Sequence, residues 1–160
     1  MTWVLENSPV QIYLYGDAQT GKQLQEGVLN SLKTNNIDTS RVKGICGEWD
    51  LDKSLAFALE ADIVIGPETG VLNLVGHEPM AKIIYLSHSS EDNLTKNWIN
   101  TVTLTPENTP CYPCHMLHYT WDHCHKVEKT GAALCATNIK PERVFKSIMS
   151  ILVDLAKKVA

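Results

Sequence analysis

The chain has 160 residues, 44% apolar and 20% charged, with a formal net charge of −4. That is ordinary composition for one compact domain with a real core. Without a basic block it lacks the attraction to phosphate backbones on which nucleic-acid binding depends, so nucleic acid is excluded as a partner. No stretch approaches the roughly 18 apolar residues of a membrane span, and MTWVLENSPV lacks the basic segment and apolar run of a signal peptide; the sequence reads as soluble and cytoplasmic, with no membrane span.

Val10-Gln-Ile-Tyr-Leu-Tyr-Gly16 is a β-rich run closed by glycine, and Leu24, Val28, Leu29 and Leu32 then recur at helical spacing until Asn35-Asn36. Val42 to Cys46 predicts a second strand, and Leu51 to Leu59, with Leu55, Ala56 and Leu59 on one face, a second helix. Ile63-Val-Ile65 is apolar without alternation, as in a strand covered on both faces. A third helix is expected to begin near Thr69. Lys82 to Leu86 is the fourth strand and Thr101 to Leu104 a fifth at an edge. The last helix starts at Pro141 and carries Val144, Ile148, Ile151, Leu152, Leu155 and Val159 at intervals of three and four. Strand and helix in alternation predict an α/β fold, a mainly parallel, doubly wound, Rossmann-like sheet over residues 1–160.

Such a sheet collects ligands at the carboxyl ends of its strands, where helix N-termini present unpaired N–H groups. Gly16-Asp17, Gly47-Glu48, Gly66-Pro-Glu-Thr-Gly70 and Ser87-His-Ser-Ser90 all fall there. Glu48 stands where the ribose of a bound nucleotide meets an acid; the alternative is a solvated turn residue. In the third of these segments Pro67 stiffens the strand exit, and Gly70 lets a ligand approach the backbone with no Cβ in the way. The competing reading is a plain helix cap made by Thr69 or Glu68.

Five cysteines are present, four of them between Cys111 and Cys135, inside a loop of about residues 106–138. Cys111 and Cys114 have C-x2-C spacing, and with Cys124 and Cys135 they make a soft ligand set suited to structural, tetrahedral zinc. His115, His118, His123 and His125 share the loop, and any one is an alternative ligand. Two disulfides are the rival account, disfavoured in a reducing compartment, and a thiol redox role is the third. Cys46, ending a strand, reads as a small core residue.

Glu48-Trp-Asp-Leu-Asp-Lys-Ser-Leu, Glu60-Ala-Asp-Ile-Val-Ile-Gly-Pro-Glu-Thr-Gly-Val-Leu-Asn, the cysteine set and Ile139-Lys-Pro-Glu-Arg-Val144 together resemble the C-terminal half of glycosyltransferase family 9, the lipopolysaccharide heptosyltransferase family. The likeness covers about residues 10 to 150 in order, and many members carry similar cysteines. It implies the donor-binding domain of a GT-B enzyme, holding an ADP-heptose-like nucleotide-diphosphate sugar for inverting transfer, cytoplasmic or peripheral to the inner membrane. The resemblance gives Thr69 and Gly70 to the donor diphosphate, Glu68 to sugar or ribose hydroxyls, and the Ser89 loop with Lys96 to the phosphate or the sugar, a capped polar turn being the alternative for that loop. Gly16 joins this donor-binding set as a strand-end glycine.

Family members typically show Asp-Ser/Thr-Gly, two further residues and then His; here Glu68 replaces the Asp and Asn73 the His. Asn73 does not take up a proton near neutral pH, which leaves it a positioning role. The acceptor-binding half with its general base has no counterpart in this sequence, so no catalytic residue is assigned and the chain alone is expected to bind donor without transferring it. Two alternatives follow: a partner domain encoded separately, or a noncatalytic, zinc-stapled relic of a GT-B half. Trp49 and Trp98 read as cleft or as partly buried core residues.

Overall fold

The computed structural model describes residues 1–116 and 123–159, which form two compact units, 1–57 and 58–160. His118, one of the alternative metal ligands, lies outside the described residues.

In the first unit, α1 (Thr2–Asn7) precedes β1 (Ile12–Leu14), α2 (Thr20–Thr34) and β2 (Val42–Gly44), and α3 (Leu51–Leu59) follows. β1 and β2 pair in parallel with Ile12 opposite Val42. Leu5, Leu32 and Val42 form the buried centre, and Ile12, Leu14, Val28, Leu29 and Ile37 pack around it, so the helical spacing of α2 is what faces the strands. The Arg41 guanidinium donates to the carbonyls of Leu5, Ser8 and Val10, tying α1 to the start of β2. Tyr13 and Trp49 both meet the Phe57 ring, at 4.7 and 4.9 Å between centroids, so Trp49 is a packing residue.

The second unit holds β3 (Ile63–Pro67), α4 (Gly70–Leu74), β4 (Ala81–Tyr85), β5 (Thr101–Leu104), α5 (Leu134–Thr137) and α6 (Pro141–Val159). Its parallel sheet runs β3-β4-β5, with Ile63 opposite Ala81 and Lys82 opposite Thr101. Ile83, Ile84 and Leu86 are fully buried on the central strand β4, whereas β3, expected to be covered on both faces, is not: Val64 is buried but Ile65 is exposed, since β3 is an edge of this ladder. α6 lies against β4 and β5, and α4 against β3. Lys82 is fully buried too; its Nζ donates to the carbonyls of Glu78 and Met80 at 2.6 and 2.9 Å, and burial lowers its pKa. A Cβ on Gly76 would stand 2.5 Å from the Trp98 ring, so Trp98 also packs inward.

The predicted strands and long helices are all present, with β1 trimmed at both ends. α1 and α5 are additions: six and four residues leave too few turns for a helical period to show in sequence. The strands are parallel throughout, as the alternation predicted, in ladders of two and three.

Candidate functional site

β3 ends at Pro67 and α4 begins at Gly70, so Glu68 and Thr69 occupy the turn at the carboxyl end of the strand. The adjacent strand β4 ends at Tyr85, and residues 87–89 leave it on the same side. Glu68 spans the gap. Its Oε2 accepts from the Ser87 N–H at 2.9 Å, the Ser87 hydroxyl at 3.0 Å and the His88 N–H at 3.2 Å, while Oε1 accepts from the Ser89 N–H at 2.9 Å. The His88 Nε2 lies 3.3 Å from Oε2, and the Glu68 side chain is only 5% exposed. Burial pushes its pKa up, but the hydrogen bonds from Ser87, Ser89 and His88 together outweigh it, so the carboxyl sits below its ordinary value and is ionised at neutral pH.

Glu68 is therefore committed to organising the 87–89 loop. Thr69 is exposed, is the N-cap of α4 in extended conformation, and makes no side-chain capping bond. Neither candidate from the capping alternative serves as a side-chain cap here. A Cβ on Gly70 would meet nothing within 4 Å, so packing does not demand glycine at that position and the backbone there is open. Asn73 is exposed on the next turn, its N–H bonded to the Thr69 carbonyl at 3.0 Å. Ser89 is half-buried, with its hydroxyl 3.2 Å from the His88 Nδ1. Lys96 is an exposed side chain paired with Asp92, four residues earlier, at 3.3 Å.

Gly16 and Glu48 belong to the first unit. A Cβ on Gly16 would come 3.3 Å from the Gly21 Cα, and the Gly47 N–H donates to the Gly16 carbonyl at 2.9 Å, so the ends of β1 and β2 and the start of α2 meet closely. Gly47 has φ +75°, and a Cβ there would stand 2.7 Å from the Ala18 Cα; both conditions call for glycine. Asp17 accepts from the N–H groups of Gln19, Thr20 and Gly21, with the Gln19 bond foremost in lowering its pKa. Glu48 is an exposed turn residue. Cys46 is buried, its Sγ 3.5 Å from the Leu14 carbonyl, as a core residue would be.

The four clustered cysteines are free and half-buried. Cys124 and Cys135 flank a short antiparallel turn in which Lys126 bridges Ala133 and the Leu134 N–H donates to the His125 carbonyl at 2.8 Å. Asn138, just past α5, donates to the Thr109 hydroxyl at 2.9 Å, bringing the segment that carries Cys111 alongside. Burial raises the Cys135 thiol pKa most, and the charges of Cys124, Cys111 and Cys114 raise it further, which puts the four in one electrostatic neighbourhood. Among the described residues, however, no three His, Cys, Asp or Glu side chains stand in an arrangement that holds a metal ion. His115 and His125 are exposed, whereas the His123 Nδ1 is buried without a partner among the described residues.

One hydrogen bond and one electrostatic influence join this segment to the Glu68 cluster; His115 enters as a backbone donor, a part its place among the alternative metal ligands does not suggest, and Tyr112 is not singled out by the sequence pattern. The His115 N–H donates to the His88 carbonyl at 3.0 Å. Tyr112 has a buried hydroxyl without a partner among the described residues, and its pKa is raised first by burial and then by the charges of Glu68 and Glu91. His88 stands in the 87–90 loop beside Ser89, and only the fold turns its ring toward Glu68.

Parallel strands whose carboxyl ends carry these turns define a Rossmann-like domain of the kind that forms half of a GT-B glycosyltransferase. The fold matches the structure of the E. coli ADP-heptose lps heptosyltransferase II with a TM-score of 0.66 at 14% identity, over 91% of this chain and 37% of that one. The chain thus spans little more than a third of that enzyme. No protein-family profile and no curated protein sequence matches the chain. Among the described residues no helix is long and apolar enough to cross a membrane.

Proposed function

We infer that the chain is the donor-binding domain of a glycosyltransferase, receiving a nucleotide-diphosphate sugar of the ADP-heptose kind at the β3–α4 turn, for transfer to lipopolysaccharide or a related glycan. The observation that carries this reading is the turn at Thr69-Gly70, which no side chain caps and whose backbone is open at Gly70, the Thr69 N–H being held by the Pro67 carbonyl at 2.8 Å, set beside a loop held by Glu68. A diphosphate needs backbone N–H donors that no side chain has already used, and a closely approachable backbone. A sugar needs positioned hydroxyl partners, and exposed Thr69 and half-buried Ser89 supply them while Glu68 sets their spacing. The fold likeness to a heptosyltransferase supports the substrate class. Asn73 fits a positioning role, and proton removal from an acceptor falls to a group outside this turn.

Calorimetry of the purified chain with ADP, an ADP-sugar and other nucleoside diphosphates tests the reading. Binding of the ADP-sugar that is weakened by Thr69→Ala and abolished by Gly70→Val is the expected result. Absence of heat with every nucleotide diphosphate, from a chain that melts cooperatively, would leave the noncatalytic module as the better account.

A further inference from the structure

We propose that Tyr112 reads the sugar portion of the donor: its phenol hydroxyl donates a hydrogen bond to a neutral hydroxyl of the ligand and takes no part in holding the diphosphate. This rests on the nucleotide-sugar reading above, and it gives one end of that ligand to a residue outside the strand-end turns. The Tyr112 hydroxyl is buried and has no partner among the described residues. A buried O–H that has left water without gaining an acceptor is a standing cost to the fold, and native chains keep few that nothing completes. Its place is set by the main chain. The Tyr112 N–H donates to the Thr109 carbonyl at 3.0 Å, and three residues on the His115 N–H donates to the His88 carbonyl at 3.0 Å, so Tyr112 lies beside the 87–89 loop that Glu68 holds.

The charges around the hydroxyl select the chemistry of what it meets. Burial first, then Glu68 and Glu91, raise the pKa of the phenol, so at neutral pH it keeps its proton and is a donor. Both charges are negative, and an anionic phosphate oxygen brought to the same place is repelled by each. A sugar hydroxyl is not: it accepts from the phenol with a lone pair and keeps its own hydrogen for a carboxylate such as that of exposed Glu91. The phenol oxygen is covered in this conformation, but the cover is shallow, since Cys111, Tyr112 and Cys114 are half-buried and Pro113 and His115 exposed. A ligand hydroxyl has only a short surface segment to displace.

Calorimetry of the whole chain with ADP and with ADP-heptose, beside melting curves taken without ligand, tests this. Tyr112→Phe should bind ADP within about twofold of wild type and ADP-heptose at least about tenfold more weakly, because only the sugar loses a donor. Its melting temperature without ligand should equal or exceed that of wild type, since the variant buries no unpaired hydroxyl. ADP-heptose bound equally by variant and wild type would overturn the proposal while leaving the nucleotide-sugar site standing, and so would a loss shared equally by ADP and ADP-heptose. A variant that melts early would give the hydroxyl an acceptor within the fold and overturn it as well. A wild-type chain that binds neither ligand would remove the site and this inference together.

Discussion

The two loops that meet at His88 are built on opposite plans. Residues 87–89 are gathered by a single buried acid, with four donors on one carboxylate and a ring beside it. The segment from Cys111 to Cys135 has only scattered ties: a turn at Thr109–Tyr112, the short pairing around Lys126 and Ala133, and Asn138 reaching back to Thr109. Among its described residues none is a buried hydrophobic, and the fully buried side chains lie on β4, on α4 or just beyond them. The difference teaches that a loop without a core needs either one well-satisfied charge or a cross-link among its own side chains. The first loop has the charge, and the second has four free thiols in one electrostatic neighbourhood.

The largest effect should come from removing the acid. Glu68→Ala leaves several loop donors without an acceptor at a nearly buried position, and should destabilise the fold by about 3 kcal/mol in a denaturant titration. A loss below about 1 kcal/mol would mean that water replaces the carboxylate and that the first loop is no better held than the second.

Ligand binding sharpens the contrast from the other side. Gly70→Val places a branched side chain in open space, so its melting temperature should stay close to wild type while affinity for ADP falls at least about thirtyfold, or about 2 kcal/mol. Equal losses of stability and affinity would tell against an open diphosphate site.

The acid limb of the stability curve reports the same carboxylate. Its folded pKa is below the unfolded value, so the stabilisation is present above that unfolded value, near 4.5, and is lost as pH falls through the folded pKa. Glu68→Gln should flatten this limb relative to wild type, read from urea melts between neutral pH and pH 3. Parallel limbs would assign the acid sensitivity to other carboxylates.

For the cysteine segment we propose structural zinc, bound by Cys111, Cys114, Cys124 and Cys135. Protein purified under reducing conditions should carry close to one zinc per chain, and a strong chelator should speed amide exchange across 110–138 while sparing β3, β4 and β5. Metal-free protein with two intact disulfides would remove zinc from the account. The smallest effect is expected at Thr69: with no capping bond to lose, Thr69→Ala should shift stability by less than about 0.5 kcal/mol, whereas a capping residue would cost about 1.

Much of the frame was legible in the sequence because its signals are local and repeated. The apolar run at Ile63-Val-Ile65, the closing glycines and the three-and-four spacing from Pro141 depend on strand and helix periods alone, and the structure has β3, β4, β5 and α6 where those periods run. Turns at strand ends were readable for the same reason, which brought Glu68, Thr69, Gly70 and Ser89 into view together. The partners of these side chains were not. A glutamate before Thr-Gly looks the same in sequence whether it caps a helix, grips a ligand or ties down a loop, because sequence spacing does not fix which of several nearby donors a flexible carboxylate reaches.

Composition and periodicity by themselves determined a parallel α/β chain with polar turns at the ends of its strands, since burial and backbone pairing leave few other ways to satisfy such a pattern. Only the tertiary structure decided that Glu68 faces the 87–89 loop, that the His88 ring lies between Glu68 and Ser89, and that His115 closes onto His88. The contacts from Glu68 to the 87–89 loop join residues 19 to 21 positions apart, and they exist because the parallel register of β3 and β4 carries both strand ends to the same edge of the sheet.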